Sequence, residues 1–188
     1  MMLKLFEHSP YLAMLPNISA QDNIVDVTLG HMPGVGLKEK RYFLTSNIEN
    51  FKQISLYLDS VYNEPTAEKL ELFQIDTAFI HKYLQILERI KPAETVVNLL
   101  GPFSMSQTLN YKSGAQILAD KMFRKFIIQS LSAKALWLIS EIKAVSPETT
   151  PIIILEEPLL YKIGDVKRNN EEITKDVIVN MFAKIIQK

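Results

Sequence analysis

The chain has 188 residues, no cysteine, and equal numbers of acidic and basic residues, so its formal net charge is zero. Without cysteine it supplies no disulfide, no thiolate nucleophile and no cysteine-bound zinc or iron–sulfur centre. Balanced charge gives no overall electrostatic pull toward nucleic acid or an anionic membrane, and the short basic clusters at Lys38–Arg41 and Lys162–Arg168 read as solvated loops.

A hydrophobic fraction of 47% is enough to bury one core, and no linker-like stretch divides the chain, so residues 1–188 read as a single domain. The N-terminus, MMLKLFEHSPYLAML, carries charges too often for a signal peptide. No apolar run approaches the ~18 residues needed to span a bilayer. The expected compartment is the cytoplasm.

In chain order, residues 1–18 read as irregular, punctuated by Pro10 and Pro16. From Ser19 to Gly30, the residues Ile24, Val25, Val27 and Leu29 predict a short helix that Gly30 ends. HMPGVG, His31–Gly36, is a turn, followed by a strand pair around Val35–Leu37 and Arg41–Thr45. Ser46 and Glu49 have capping-box spacing and open a helix through Leu58. After the break at Asn63–Thr66, a second helical pattern covers Ala67 to Ile90 and stops at Pro92.

ETVVNLLGPF reads as the first buried strand, apolar on both faces as in a parallel sheet. A long helix is expected over Asp120–Val145. Ile152–Leu155 is the second buried strand. A last helix carries the stripe Ile173, Val177, Met181, Phe182, Ile185 and Ile186. Strand, helix, strand, helix implies an α/β fold with parallel strands.

Standard motifs are missing: there is no phosphate-binding glycine loop, nucleophile elbow or paired-histidine metal motif. Of His8, His31 and His81, only His31 lies in a glycine-containing turn, and a plain turn role outweighs catalysis even there.

Ligands in parallel α/β folds bind beyond the carboxyl ends of the strands. Two segments fall there. Gly101–Gln107 offers hydroxyls, including Ser104, and an amide. Glu156-Glu157-Pro158 offers two carboxylates. Neighbouring strand residues face opposite ways, so one glutamate would face a central pocket and the other the rim. Such carboxylates bind an ammonium, hold a metal or act as acid and base. Equally, both are solvated or cap nearby backbone amides. The residues alone leave both readings open.

These strand ends carry a resemblance. LLGPFSMSQTL looks like the GP-(hydrophobic/Thr)-(Thr/Ser) strand end of the cobalamin-independent methionine synthases and their uroporphyrinogen-decarboxylase-like relatives. IIILEEPLL resembles the I-Q-I-D-E-P-A-L strand end of the methionine synthase branch. YLAMLPN and LGHMPGVG are similar to turns of the shorter members, so the resemblance runs from Tyr11 to Lys188.

It implies a (β/α)8 barrel that transfers a methyl group from a folate or related donor to a thiol such as homocysteine. In the family, zinc held by His, Cys, Glu and Cys activates that thiol. The D-E-P aspartate, which holds the substrate's amino group, corresponds to Glu156. The next two family residues correspond to Glu157 and Pro158. Gly101, Ser104, Glu156 and Glu157 would line the end that binds an amino-acid-like ligand.

The family's zinc ligands follow the D-E-P strand. The resemblance therefore implies the front and middle of a truncated barrel, with no cofactor held by this chain and no activity alone. Two alternatives stand beside it. One is a non-catalytic small-molecule binding or assembly module derived from such a barrel; the other is a decarboxylase-like relative. An open barrel leaves a strand edge uncovered and leaves Val177, Met181, Phe182 and Ile185 needing a surface to pack on. A second chain or self-association is expected to supply it.

Overall fold

The computed structural model describes residues 12–14, 23–44, 48–75, 77–109, 114–164 and 173–187, without side chains at 12–14, 48–50 and 114–116. His8, Pro10, Pro16, the Ser46 cap, and the basic residues at 167–168 lie outside them.

The fold is α/β. Strands β1 (Leu12–Met14), β4 (Glu94–Leu100) and β5 (Thr150–Glu156) form a parallel sheet in the order β1-β4-β5. Strands β2 (Val35–Lys38) and β3 (Arg41–Leu44) form an antiparallel hairpin. The helices are α1 (Ile24–Leu29), α2 (Ile48–Asn63), α3 (Ala67–Leu70), α4 (Ala78–Ile90), α5 (Pro102–Thr108), α6 (Gly114–Ala119), α7 (Lys121–Val145) and α8 (Lys175–Ile186).

The irregular reading of residues 1–18 fails at Leu12–Met14. These residues pair with Glu94–Val96 as β1, too short a strand to show a period of its own.

Most helix starts follow from local chemistry. Asn23 caps α1 by accepting from the Val25 and Asp26 amides, and Gly30 ends it. Asp120 caps α7 through the Met122 amide at 2.7 Å. The pattern over Ala67–Ile90 is not one helix. After α3 and a 3-10 turn at Glu71–Phe73, Gln74 turns extended, and Thr77 caps a new helix by accepting from the Ile80 amide. The break lets Phe73 and Ile75 enter the core on one side and Ile80 and Tyr83 on the other. Helices α5 and α6 were also not legible. Pro102 occupies the first turn of α5, where its missing N–H costs nothing.

The core runs along α7. Phe126, Ile127, Leu131, Leu138 and Ile142 are buried, and Phe51 of α2 packs edge-on against Phe123 with ring centres 5.1 Å apart. Asp26 accepts from the Tyr42 hydroxyl at 2.6 Å and ties α1 to the hairpin. Thr28 donates to the Ile24 carbonyl and accepts from the Leu100 amide at 2.8 Å, fastening α1 to the end of β4.

Two burial expectations need correction. β4 is buried, as expected for a central strand, but Ile152, Ile153 and Leu155 of β5 are only partly covered, and Ile154 is 40% exposed. β5 pairs with β4 on one side and stands at the sheet edge among the described strands. The α8 stripe is largely covered within the chain: Ile173, Met181 and Ile185 are buried, with Val177 and Phe182 half-buried, against α7 and α5. Only Ile186 of that stripe stays open, at 76% exposure.

Candidate functional site

The parallel register of β4 and β5 sets Leu100 opposite Glu156, so both strand ends finish together. The Gly101 amide donates to the Glu156 carbonyl at 2.6 Å, the last rung of the ladder. The chain then turns into α5 at Pro102, directly beside Glu157. Gly101, Ser104, Glu156 and Glu157 are thus brought together at one end of the sheet.

Glu156 ends β5 and Glu157 lies just beyond it, and their side chains take different partners. The Glu156 carboxylate accepts from the side-chain amide of Asn98 on β4. The other end of that amide, Asn98 Oδ1, is buried without a hydrogen-bond partner among the described residues. Glu157 reaches over the start of α5. Its Oε1 accepts from the Phe103 amide at 2.9 Å and its Oε2 from the Ser104 amide at 2.6 Å. The Ser104 hydroxyl in turn accepts from the Leu159 amide at 3.0 Å. A carboxylate on the first-turn amides of a helix is a charged cap, supplied here from another strand.

Gly101 makes room for it. A Cβ built there would lie 2.4 Å from Glu157 Oε1 and 2.5 Å from its carboxyl carbon. Any side chain at 101 would displace the clamp. Burial pushes the Glu157 carboxyl above its usual range, and the Ser104 hydroxyl and the two amides only partly offset this.

The other polar groups of α5 are turned inward. Ser106 donates to the Phe103 carbonyl at 2.6 Å and Thr108 to the Ser104 carbonyl at 2.8 Å. Gln107 donates to Ser106 at 3.2 Å. The Ser106 and Thr108 hydroxyls are spent on their own helix, and that of Ser104 on the Leu159 amide beside the clamp.

The zinc implied by the resemblance does not fit these residues. The chain has no thiolate to give, and both Glu157 oxygens are aimed at backbone amides. Among the described residues no three His, Asp or Glu side chains converge on a point. His31 lies exposed in its turn at a positive φ of 56°, and His81 is exposed on α4.

Two features were missed in the sequence. Asn98, the partner of Glu156, gave no signal, being one polar residue in an apolar strand. Lys134 gave one: it stands three residues after Leu131 and four before Leu138, on the buried stripe of α7. It is 0% exposed and its ammonium donates to the Gly30 and Phe73 carbonyls, each at 2.9 Å. It pins the end of α1 and the 3-10 turn to α7, and burial draws its pKa down to about 7.

No helix among the described residues is long and apolar enough to cross a membrane. Compared with protein-family models, with curated proteins and with solved structures, the chain gives no significant match.

Proposed function

We propose that the protein is a non-catalytic assembly module, built on a segment of a (β/α) barrel, that joins a second copy of itself along β5. The observation that carries this is the state of β5. Its run Pro-Ile-Ile-Ile-Leu has the composition of a strand covered on both faces, yet it stays half open at the sheet edge. Beside it lies an apolar groove of about 420 Å³ between α7, β5 and α8, lined by Leu136, Ile139, Ile153, Leu155 and Phe182.

The strand is complementary to itself. Antiparallel pairing about a two-fold axis at Ile153 sets Ile152 against Ile154, Pro151 against Leu155 and Thr150 against Glu156, with no like charges opposed. Seven paired residues span ~23 Å, and with the apolar groove against α7 and α8 beside it such a strip approaches the ~800 Å² per partner of a stable interface.

The barrel reading draws on strand order. The parallel strands are adjacent in the order in which they occur, with helical segments between them, as in successive barrel strands. The same order supports a second reading, a methyltransferase-like barrel of the methionine synthase type. There Glu156 would hold the ammonium of an amino-acid substrate, and the zinc-binding half would lie on other strands.

Sedimentation equilibrium separates the two. The assembly reading expects a dimer at micromolar concentration that Ile154→Lys converts to monomer. A wild-type monomer at 100 μM on that order of dissociation constant would refute it. Calorimetry with homocysteine tests the second reading, which requires binding that Glu156→Ala weakens.

A further inference from the structure

A cavity of about 630 Å³ lies away from the strand ends, between the C-terminal end of α2, the first turns of α7 and the middle of α8. That lies within the range of small-molecule sites, ~300–1,000 Å³. Its wall from α7 carries Lys121, Arg124 and Lys125, spaced so that all three share one helix face. Its wall from α8 carries Asn180 and Lys184, again four residues apart. Ile128, Val177 and Met181 provide apolar surface between them.

The charges of this cavity do not cancel. Lys125 is neutralised by Asp59, 2.6 Å away. The Arg124 guanidinium donates to the Leu118 and Ala119 carbonyls at the end of α6, which hold it in place without a carboxylate. Lys121 and Lys184 enter no ion pair among the described residues. Asp120, the nearest acid in sequence, is committed to the α7 cap. Among the described residues, three cations without an ion-pair partner therefore surround one concavity in a chain whose overall charge is zero.

Two more features fix the wall of the cavity. Gln129 is 4% exposed at the cavity wall, with its Nε2 donating to Asp59 at 2.7 Å, so its Oε1 is fixed as an acceptor without a partner among the described residues. Tyr62 donates to the Lys184 carbonyl at 3.0 Å, which fixes α8 against α2 across the cavity.

We propose that this cavity is a binding site for a small organic phosphate, a phosphomonoester whose apolar body rests on Ile128, Val177 and Met181. Lys121, Arg124 and Lys184 meet the phosphate. The concave shape and apolar surface favour a small molecule over a nucleic-acid backbone or a lipid surface, which need a flat or open basic face.

The test titrates the full chain by calorimetry with phenyl phosphate, inorganic phosphate and phenol. Phenyl phosphate should bind at least tenfold more tightly than either of the others. Lys121→Met and Lys184→Met, both at exposed positions that keep the apolar stem, should each weaken it about tenfold. Added salt should weaken it further. No binding of phenyl phosphate at 10 mM on that order, or equal binding by the double variant, would overturn the proposal. So would phosphate and phenyl phosphate binding alike, which would reduce the site to a general anion contact. Binding of single-stranded RNA or anionic vesicles that phenyl phosphate does not displace would overturn it in favour of a macromolecule.

Discussion

Gly101→Ala probes the strand-end clamp from the opposite side. Gly101 has φ −73°, so alanine brings no backbone strain. The whole effect comes from the Cβ, which would sit 2.4 Å from Glu157 Oε1 and 2.8 Å from Glu157 Cγ. Glu157 must swing away, releasing the Phe103 and Ser104 amides. Hydrogen bonds to a charged group contribute about 1.5–3 kcal/mol each, and rehydration of the carboxylate returns part of that, so a loss of about 2–4 kcal/mol is expected. Glu157→Ala should cost a similar amount, by leaving the same amides unpaired. In that background Gly101→Ala should be nearly neutral, giving a coupling of about 2–4 kcal/mol in the double-mutant cycle. The assay is urea unfolding followed by Trp137, the single tryptophan and a buried one. Additive effects within ~0.5 kcal/mol, or a Gly101→Ala variant as stable as the parent, would refute the clamp.

Three further predictions rest on separate features. Lys134 has a folded pKa of about 7 against an ordinary 10.5, so between these values the unfolded chain binds more protons and stability rises with pH. Lys134→Met should flatten the change in urea midpoint between pH 7 and pH 9 on that scale; an unchanged slope would assign the titration elsewhere. In the hairpin turn, Glu39 and Lys40 hold φ of 49° and 62°, the pair of left-handed residues a two-residue turn demands. Replacing them with Asn-Gly should raise stability by about 1 kcal/mol, read from the thermal midpoint. The Ser130 hydroxyl is fully buried with no partner among the described residues. Ser130→Ala should be neutral or stabilising by up to ~1 kcal/mol, and a loss beyond that would reveal a hidden partner.

What could be read from the residues depended on how local the cause was. The helix over Asp120–Val145 was legible because a long apolar period and Pro147 act within a short stretch of chain. The end of α1 at Gly30 followed from glycine chemistry in the same way. The break between α3 and α4 was not legible, because the apolar residues on both sides continue a helical pattern. Only the need to bury Phe73, Ile75, Ile80 and Tyr83 together bends the chain there. Sequence reading gathered Gly101, Ser104, Glu156 and Glu157 at one end of the sheet, and the parallel register brings them there. It left open whether the carboxylates face a ligand or backbone amides, and for Glu157 the answer is amides.

By itself, the sequence determined the α/β class, the absence of thiolate chemistry and the two parallel strands, since these follow from composition and short-range period. Only the tertiary structure decided what those strands and charges do. Burial depends on neighbours distant in the chain, so an apolar run such as Ile152–Leu155 reads alike at a sheet centre or at an edge. Charge obeys the same limit. Lys121, Arg124 and Lys184 belong to an electroneutral chain, and they become one cationic cavity only when α7 and α8 pack side by side.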